Sequence, residues 1–181
     1  GPVGSLRALL AAWLHLKTGR TVLLVTPDQE SAEKTHDDLL AFLGNERASF
    51  FPSWEVHPYE IRAPHAENVG DRLKVLHDLA AGKAAVISAP APALMEPTME
   101  KKKISRLAFE LSEGQTADPE DLKERLVKMG FNRQPVVEQL GDFAARGGLI
   151  DVFPATTAEP VRIEYFGDQI ESIRTFSVLT Q

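Results

Sequence analysis

The stretch that most constrains this chain runs from Gly141 to Pro154: Gly-Asp-Phe-Ala-Ala-Arg-Gly-Gly-Leu-Ile-Asp-Val-Phe-Pro. Two strand-compatible runs flank a glycine pair, and a proline, which has no N–H to give a ladder, closes the second run. The pattern predicts strand, tight bend or bulge, strand. Arg146 stands just before the bend, where the glycines beside it have no side chains to cover it. A guanidinium held on a sheet offers five donors in a fixed fork, which suits carboxylates on a partner. Taken alone, the same residue also fits a solvated surface position that contributes little to any interface.

Further along, Val161-Arg162-Ile163-Glu164-Tyr165 alternates apolar and charged residues, so Arg162 and Glu164 share the outward face of a strand. Gly167-Asp168 then separates two alternating runs as a two-residue hairpin turn. Upstream, Asp118-Pro119 caps a helix with apolar positions Leu122, Leu126, Val127 and Met129, and Gly130 stops it. Arg133 follows that stop and starts a neighbouring strand. Leu107, Phe109 and Leu111 alternate with polar or small residues and predict a half-exposed strand. One helix with several antiparallel strands makes residues 101–181 a small α+β domain.

The first hundred residues follow a different grammar. Leu6, Leu9, Leu10, Trp13, Leu14 and Leu16 form a broad helical stripe that Gly19 stops. Val22-Leu23-Leu24-Val25 and Ala84-Ala85-Val86-Ile87 are short apolar runs of the kind found in parallel strands buried on both faces. A capping-box pattern at Thr26-Pro27-Asp28-Gln29 starts a helix that runs to about Phe42. A second strand is expected over Ala48–Phe51, a helix over Glu67–Ala80 and a helical turn over Ala93–Met95. Helix and strand alternating through short joins predict a parallel α/β domain over residues 1–100, with Glu100-Lys101-Lys102-Lys103 at the joint.

Such a layout belongs to nucleotide-binding cores, so the phosphate loop is the decisive motif. A working loop is Gly-x-x-x-x-Gly-Lys-Ser/Thr, its lysine on the outer phosphates and its hydroxyl on magnesium. Here Gly1, Gly4 and Ser5 precede the first helix, but Leu6 and Arg7 stand where the lysine and hydroxyl belong. The loop is degenerate, and nucleotide hydrolysis and a bound cofactor are not expected. The opening Gly1–Ser5 reads as a vector-derived leader as readily as native sequence, and no signal peptide follows it.

Other chemistries fall away on the same residue-level test. The chain has no cysteine, which removes disulfides, thiol catalysis and cysteine-ligated zinc and fits a reducing compartment. His15, His36, His57, His65 and His77 never take a metal-binding pair spacing with a third ligand. Asp37-Asp38 lies on a helix as a solvated face, and no Gly-x-Ser-x-Gly nucleophile motif occurs. With 20 basic against 26 acidic residues the net charge is -6, which argues against a broad grip on nucleic acid. No apolar run approaches the ~20 residues of a membrane span. Trp54, among prolines, is either a partner anchor or a plug in its own core.

The run Gly-x-Phe-x-x-Arg-Gly-Gly-x-Ile-Asp-x-Phe-Pro and the hairpin from Arg162 to Ile173 together resemble the UvrA-binding domain shared by UvrB and the bacterial transcription-repair coupling factors. The segments Phe51–Glu60, Pro64-His65 and Arg72-Leu73 are similar to the coupling factors in particular. UvrB carries a longer tyrosine-rich stretch there, whereas Tyr59 is the only tyrosine of this segment, and UvrB keeps an intact nucleotide loop. The resemblance implies a cytoplasmic, non-enzymatic module of a DNA-repair protein whose partner is UvrA. It carries over Arg133, Arg146 and Arg162 as UvrA contacts, with Glu164 beside them, displayed together on one small sheet. UvrB has a further arginine where this chain has Ala144, so the contact carries one charge fewer. For the full-length family it implies RNA polymerase and double-stranded DNA as partners of other domains. The competing readings are a UvrB-type ATPase half, which would bind labelled ATP tightly, and a structural spacer, which would not retain UvrA.

Overall fold

The computed structural model describes residues 4–54, 66–154 and 156–179. They fall into two compact units, Gly1–Arg106 and Leu107–Gln181.

In the first unit a three-stranded parallel sheet has the order β1-β3-β2, with β1 at Val22–Thr26, β2 at Ala48–Phe50 and β3 at Val86–Pro90. Helices α1 (Leu6–Thr18) and α2 (Gln29–Leu43) cover one sheet face through Ala8, Ala12, Leu39, Val22 and Leu24. Helices α3 (Ala66–Ala80) and α4 (Ala91–Met95) cover the other, where Val75 and Ala93 meet Ile87 and Ala89. The central strand β3 is buried along its whole length. The edge strand β1 is not: Leu23 and Val25 remain 49% and 48% exposed, because only its Val22/Leu24 side is covered. The expectation of burial on both faces therefore holds for β3 and fails for β1.

Two local expectations are also corrected. The leucine stripe of α1 points outward, with Trp13 56% exposed, while Ala8, Ala11, Ala12 and His15 form the buried face. Small residues let the helix axis approach its neighbours, and His15 Nδ1 binds the Arg20 carbonyl oxygen at 2.8 Å. Helix α2 is capped by Asp28, whose carboxylate accepts from the Ser31 amide at 2.8 Å, rather than by Thr26. Thr26 instead lies buried at the end of β1.

Arg72 of α3 is 1% exposed and organises the turn after β2. Its guanidinium lies 4.2 Å from the ring centres of both Phe51 and Trp54. It donates to the Pro52 carbonyl and to Glu96 at 2.7 Å each. Trp54 thus packs within its own unit, its amide donating to the same Glu96 carboxylate. The segment 55–65, which includes His57, Tyr59 and His65, lies outside the described residues.

Residues 101–107 form helix α5 (Lys101–Leu107), and residues 108–112 have no regular structure, so the strand expected over 107–111 does not form. Phe109 and Leu111 still pack on the core of the second unit, so their alternation reflects one-sided burial without ladder pairing.

The second unit is a five-stranded sheet in the order β4-β5-β6-β7-β8: Asn132–Arg133, Asp142–Arg146, Leu149–Val152, Val161–Phe166 and Gln169–Thr175. β4 runs parallel to β5 and the other neighbours are antiparallel. Helix α6 (Pro119–Lys128), capped by Asp118 through the Glu120 amide, buries Leu122 and Leu126 against Phe143, Ile150, Ile163 and Ile170. The segment before α6 lines the far edge of β8: the Gly114 amide donates to Ile170, Ala117 to Asp168, and Ile173 to the Glu113 carboxylate. Covering an edge strand in this way removes a template for unwanted pairing.

The glycine pair turns β5 into β6 with Arg146 opposite Leu149. Gly147 takes φ 58°. Gly148 is required for a different reason: a Cβ there would lie 2.7 Å from the Tyr165 carbonyl oxygen, and the Tyr165 amide donates to Gly148 at 2.7 Å.

Candidate protein-docking face

Because cross-strand partners share a face, the register sorts the side chains of the second unit. Phe143, Ala145, Ile150, Val152, Ile163 and Tyr165 point toward α6. The opposite face carries two cross-strand rows. One is Ala144, Asp151, Arg162, Arg174, and the other is Arg146, Leu149, Glu164, Ser172.

The predicted arginines occupy three different situations. Arg146 keeps 54% of its side chain exposed and approaches Asp151 at 3.6 Å. Arg162 is only 14% exposed and grips Asp151 with two hydrogen bonds of 2.7 Å, its guanidinium 4.7 Å from the Phe176 ring centre. Donating those hydrogen bonds to the Asp151 carboxylate raises the Arg162 pKa above its ordinary value. Arg133 is exposed but pairs in register with Phe143, which places it on the α6 side. There it borders a concavity of about 310 Å³ with Val127, Phe143 and the Lys128–Glu124 pair. The three guanidiniums therefore do not form one cluster: Arg146 and Arg162 share the outward face and Arg133 does not.

Glu164 lies on the outward face as its alternation predicts. It accepts from Ser172 Oγ at 2.8 Å and pairs with Arg174. Ala144, where the resemblance places one charge fewer, is 2% exposed beside Asp151.

Three residues of this face escaped the sequence reading. Asp151 is 2% exposed and carries the charge that both Arg146 and Arg162 meet. Arg174 stands beside Arg162 in the ladder, and Phe166, at the hairpin turn, is 80% exposed. A signal for the register existed: Ile170 and Ile173 are three apart, which strict alternation cannot bury together. A bulge opposite Glu164/Tyr165 supplies the extra residue, turning Ile173 inward and Arg174 outward.

In the first unit the start of α1, where the phosphate loop is degenerate, carries a side-chain contact of its own. Ser5 donates its hydroxyl to the Asp38 carboxylate at 3.0 Å, which sets a negative charge beside the amide end of α1. Gly4 takes φ 60°, and Gly1 lies outside the described residues. Among the described residues no three His, Cys, Asp or Glu side chains converge on a metal-sized site, and no helix is long and apolar enough to cross a membrane.

Comparison with known proteins bears on the second unit first. Residues 109–181 match the family described as the UvrB interaction domain. Over the whole chain, the transcription-repair-coupling factor of Bacillus subtilis (strain 168) is 34% identical across 98% of this chain and 15% of its own length. That of Myxococcus xanthus is 37% identical across 100% and 16%, and that of Staphylococcus aureus (strain USA300) 31% across 98% and 15%. The chain thus spans only 15–16% of these relatives. It belongs to the transcription-repair-coupling factor family as a segment of that length, with a UvrB interaction domain at residues 109–181.

Proposed function

We propose that this chain is the UvrA-recruiting segment of a transcription-repair coupling factor, acting in nucleotide excision repair by protein binding and without ATP hydrolysis of its own. The observation that carries the reading is the outward face of β5–β8. It displays the half-exposed Arg146, the Asp151-braced Arg162, the Glu164–Arg174 pair and the exposed Phe166 on one sheet face. Interface hot spots favour arginine and aromatic anchors held in place before binding. Asp151 supplies that hold by fixing the Arg162 fork. Arg133, from the edge strand on the other side, is assigned a peripheral part.

The Asp38 carboxylate at the start of α1 repels a phosphate, which supports a non-hydrolytic role for the first unit. In the complete protein, RNA polymerase and double-stranded DNA fall to other domains, and the module works in the cytoplasm. Retention of the chain by immobilised UvrA at moderate salt is the test. Binding that Arg146→Ala weakens by about 2–4 kcal/mol, with circular dichroism unchanged, is the expected result. Absence of retention overturns the reading in favour of a spacer, and tight binding of labelled ATP overturns it in favour of an ATPase half.

A further inference from the structure

A cleft in the first unit has no part in that reading. Among the described residues β2 ends the sheet, and α2 and α3, packed on opposite faces, both contribute residues beside it. Between them lies a cavity of about 210 Å³ whose apolar wall includes Leu40, Phe50 and Val75. A void of about 150 Å³ already admits a benzene-sized guest, so this one has room for a small organic molecule.

Its polar lining is His36, Asn45, Ser49, Asp71 and Lys74, of which Asp71 and Lys74 carry opposite full charges. The His36 ring stacks on Phe50 with centroids 5.5 Å apart and planes 25° from parallel. Its Nδ1 is sealed from solvent without a hydrogen-bond partner among the described residues. A buried polar nitrogen left alone costs free energy, so the ring is sensitive to any rearrangement of the groups around it. Burial lowers the His36 pKa, keeping the ring neutral, with one nitrogen a donor and the other an acceptor. Asp71 and Lys74 stand three residues apart on α3, yet neither closes an ion pair with the other or with another described residue. The Asp71 pKa is raised, chiefly because the cleft takes away part of its water.

The charge pattern selects the ligand. A metal ion or simple cation attracted by Asp71 is repelled by Lys74, and a phosphate or simple carboxylate attracted by Lys74 is repelled by Asp71. A molecule with one charge of each sign satisfies both, and the apolar wall accepts a short hydrocarbon branch. We propose that this cleft binds a free α-amino acid with a small branched side chain: its ammonium on Asp71 and its carboxylate on Lys74, beside the His36 ring.

L-valine and its two halves test this, with isovalerate lacking the ammonium and isobutylamine lacking the carboxylate. Each is titrated into the 181-residue chain while the His36 imidazole is followed by NMR. L-valine is expected to shift the ring resonances saturably in about the millimolar range, and each half to bind at least about tenfold more weakly. Asp71→Asn should abolish the advantage of valine over isovalerate, and Lys74→Met its advantage over isobutylamine. Both residues are solvent-exposed, so the variants should fold. No saturable shift with valine, equal responses to all three probes, or an unchanged preference in both variants would overturn the assignment.

Discussion

Arg162 and Asp151 face each other across β6 and β7, and the guanidinium meets both carboxylate oxygens at 2.7 Å. The carboxylate is 3% exposed and has Arg146 as a second neighbour at 3.6 Å, so one buried charge fixes two arginines of the outward face. Removing one member of such a pair leaves the other desolvated and uncompensated, typically at a cost of about 3–5 kcal/mol. Asp151→Asn should therefore destabilise the second unit by an amount near the lower end of that range, since Arg162 is not fully buried. Amide hydrogen exchange along β6 and β7 would read it as lost protection, and retained protection would show that the pair does not hold the sheet.

Face assignment gives an ordering of effects on UvrA binding. Arg146→Ala and Phe166→Ala alter the outward face, whereas Arg133→Ala alters the α6 side. The first two should each weaken binding by more than about tenfold. Arg133→Ala should weaken it only a few-fold, and Phe166→Ala should leave the melting temperature unchanged because its ring is 80% exposed. Isothermal titration of the three variants decides the ordering, and an Arg133 effect equal to that of Arg146 would mean that the partner wraps the sheet edge.

Gly148→Ala probes the turn. A Cβ would sit 2.7 Å from the Tyr165 carbonyl oxygen, a backbone atom that cannot swing aside. The β5–β6 turn and β7 would have to separate, losing the Gly148–Tyr165 hydrogen bond, at a cost of about 1–3 kcal/mol. Thermal denaturation followed by circular dichroism should show a lower transition for the second unit.

His36 predicts a pH dependence in the first unit. Burial lowers its folded-state pKa below the ordinary 6.5, so the unfolded chain takes up a proton first as pH falls. Its contribution to stability is complete above pH 6.5 and is lost as pH drops toward the lowered value. Urea denaturation followed by tryptophan fluorescence should give a midpoint that falls between about pH 7.5 and pH 5.5. His36→Leu should flatten that slope, and an unaltered slope would place its origin elsewhere.

Much of this architecture was written in local pattern. Turn chemistry at Gly147-Gly148 and Gly167-Asp168 set two hairpins, and the Asp118-Pro119 cap started α6, because φ and hydrogen-bond requirements act within a few residues of chain. Alternation placed Arg162 and Glu164 on one face for the same reason. Which way the α1 stripe turned was not local. Ala8, Ala11 and Ala12 win the inward position by allowing close approach, a matter of what lies opposite.

The amino-acid order alone determined the two kinds of sheet, the glycine-bearing turns and the residue types offered for docking, since each rests on backbone geometry and side-chain period. Only the tertiary structure decided which guanidiniums stand together. Parallel pairing of the two-residue strand β4 sent Arg133 to the far side, and a single bulge in β8 brought Arg174 out beside Arg162. Register is a relation between strands, and a one-residue shift moves every side chain to the other face.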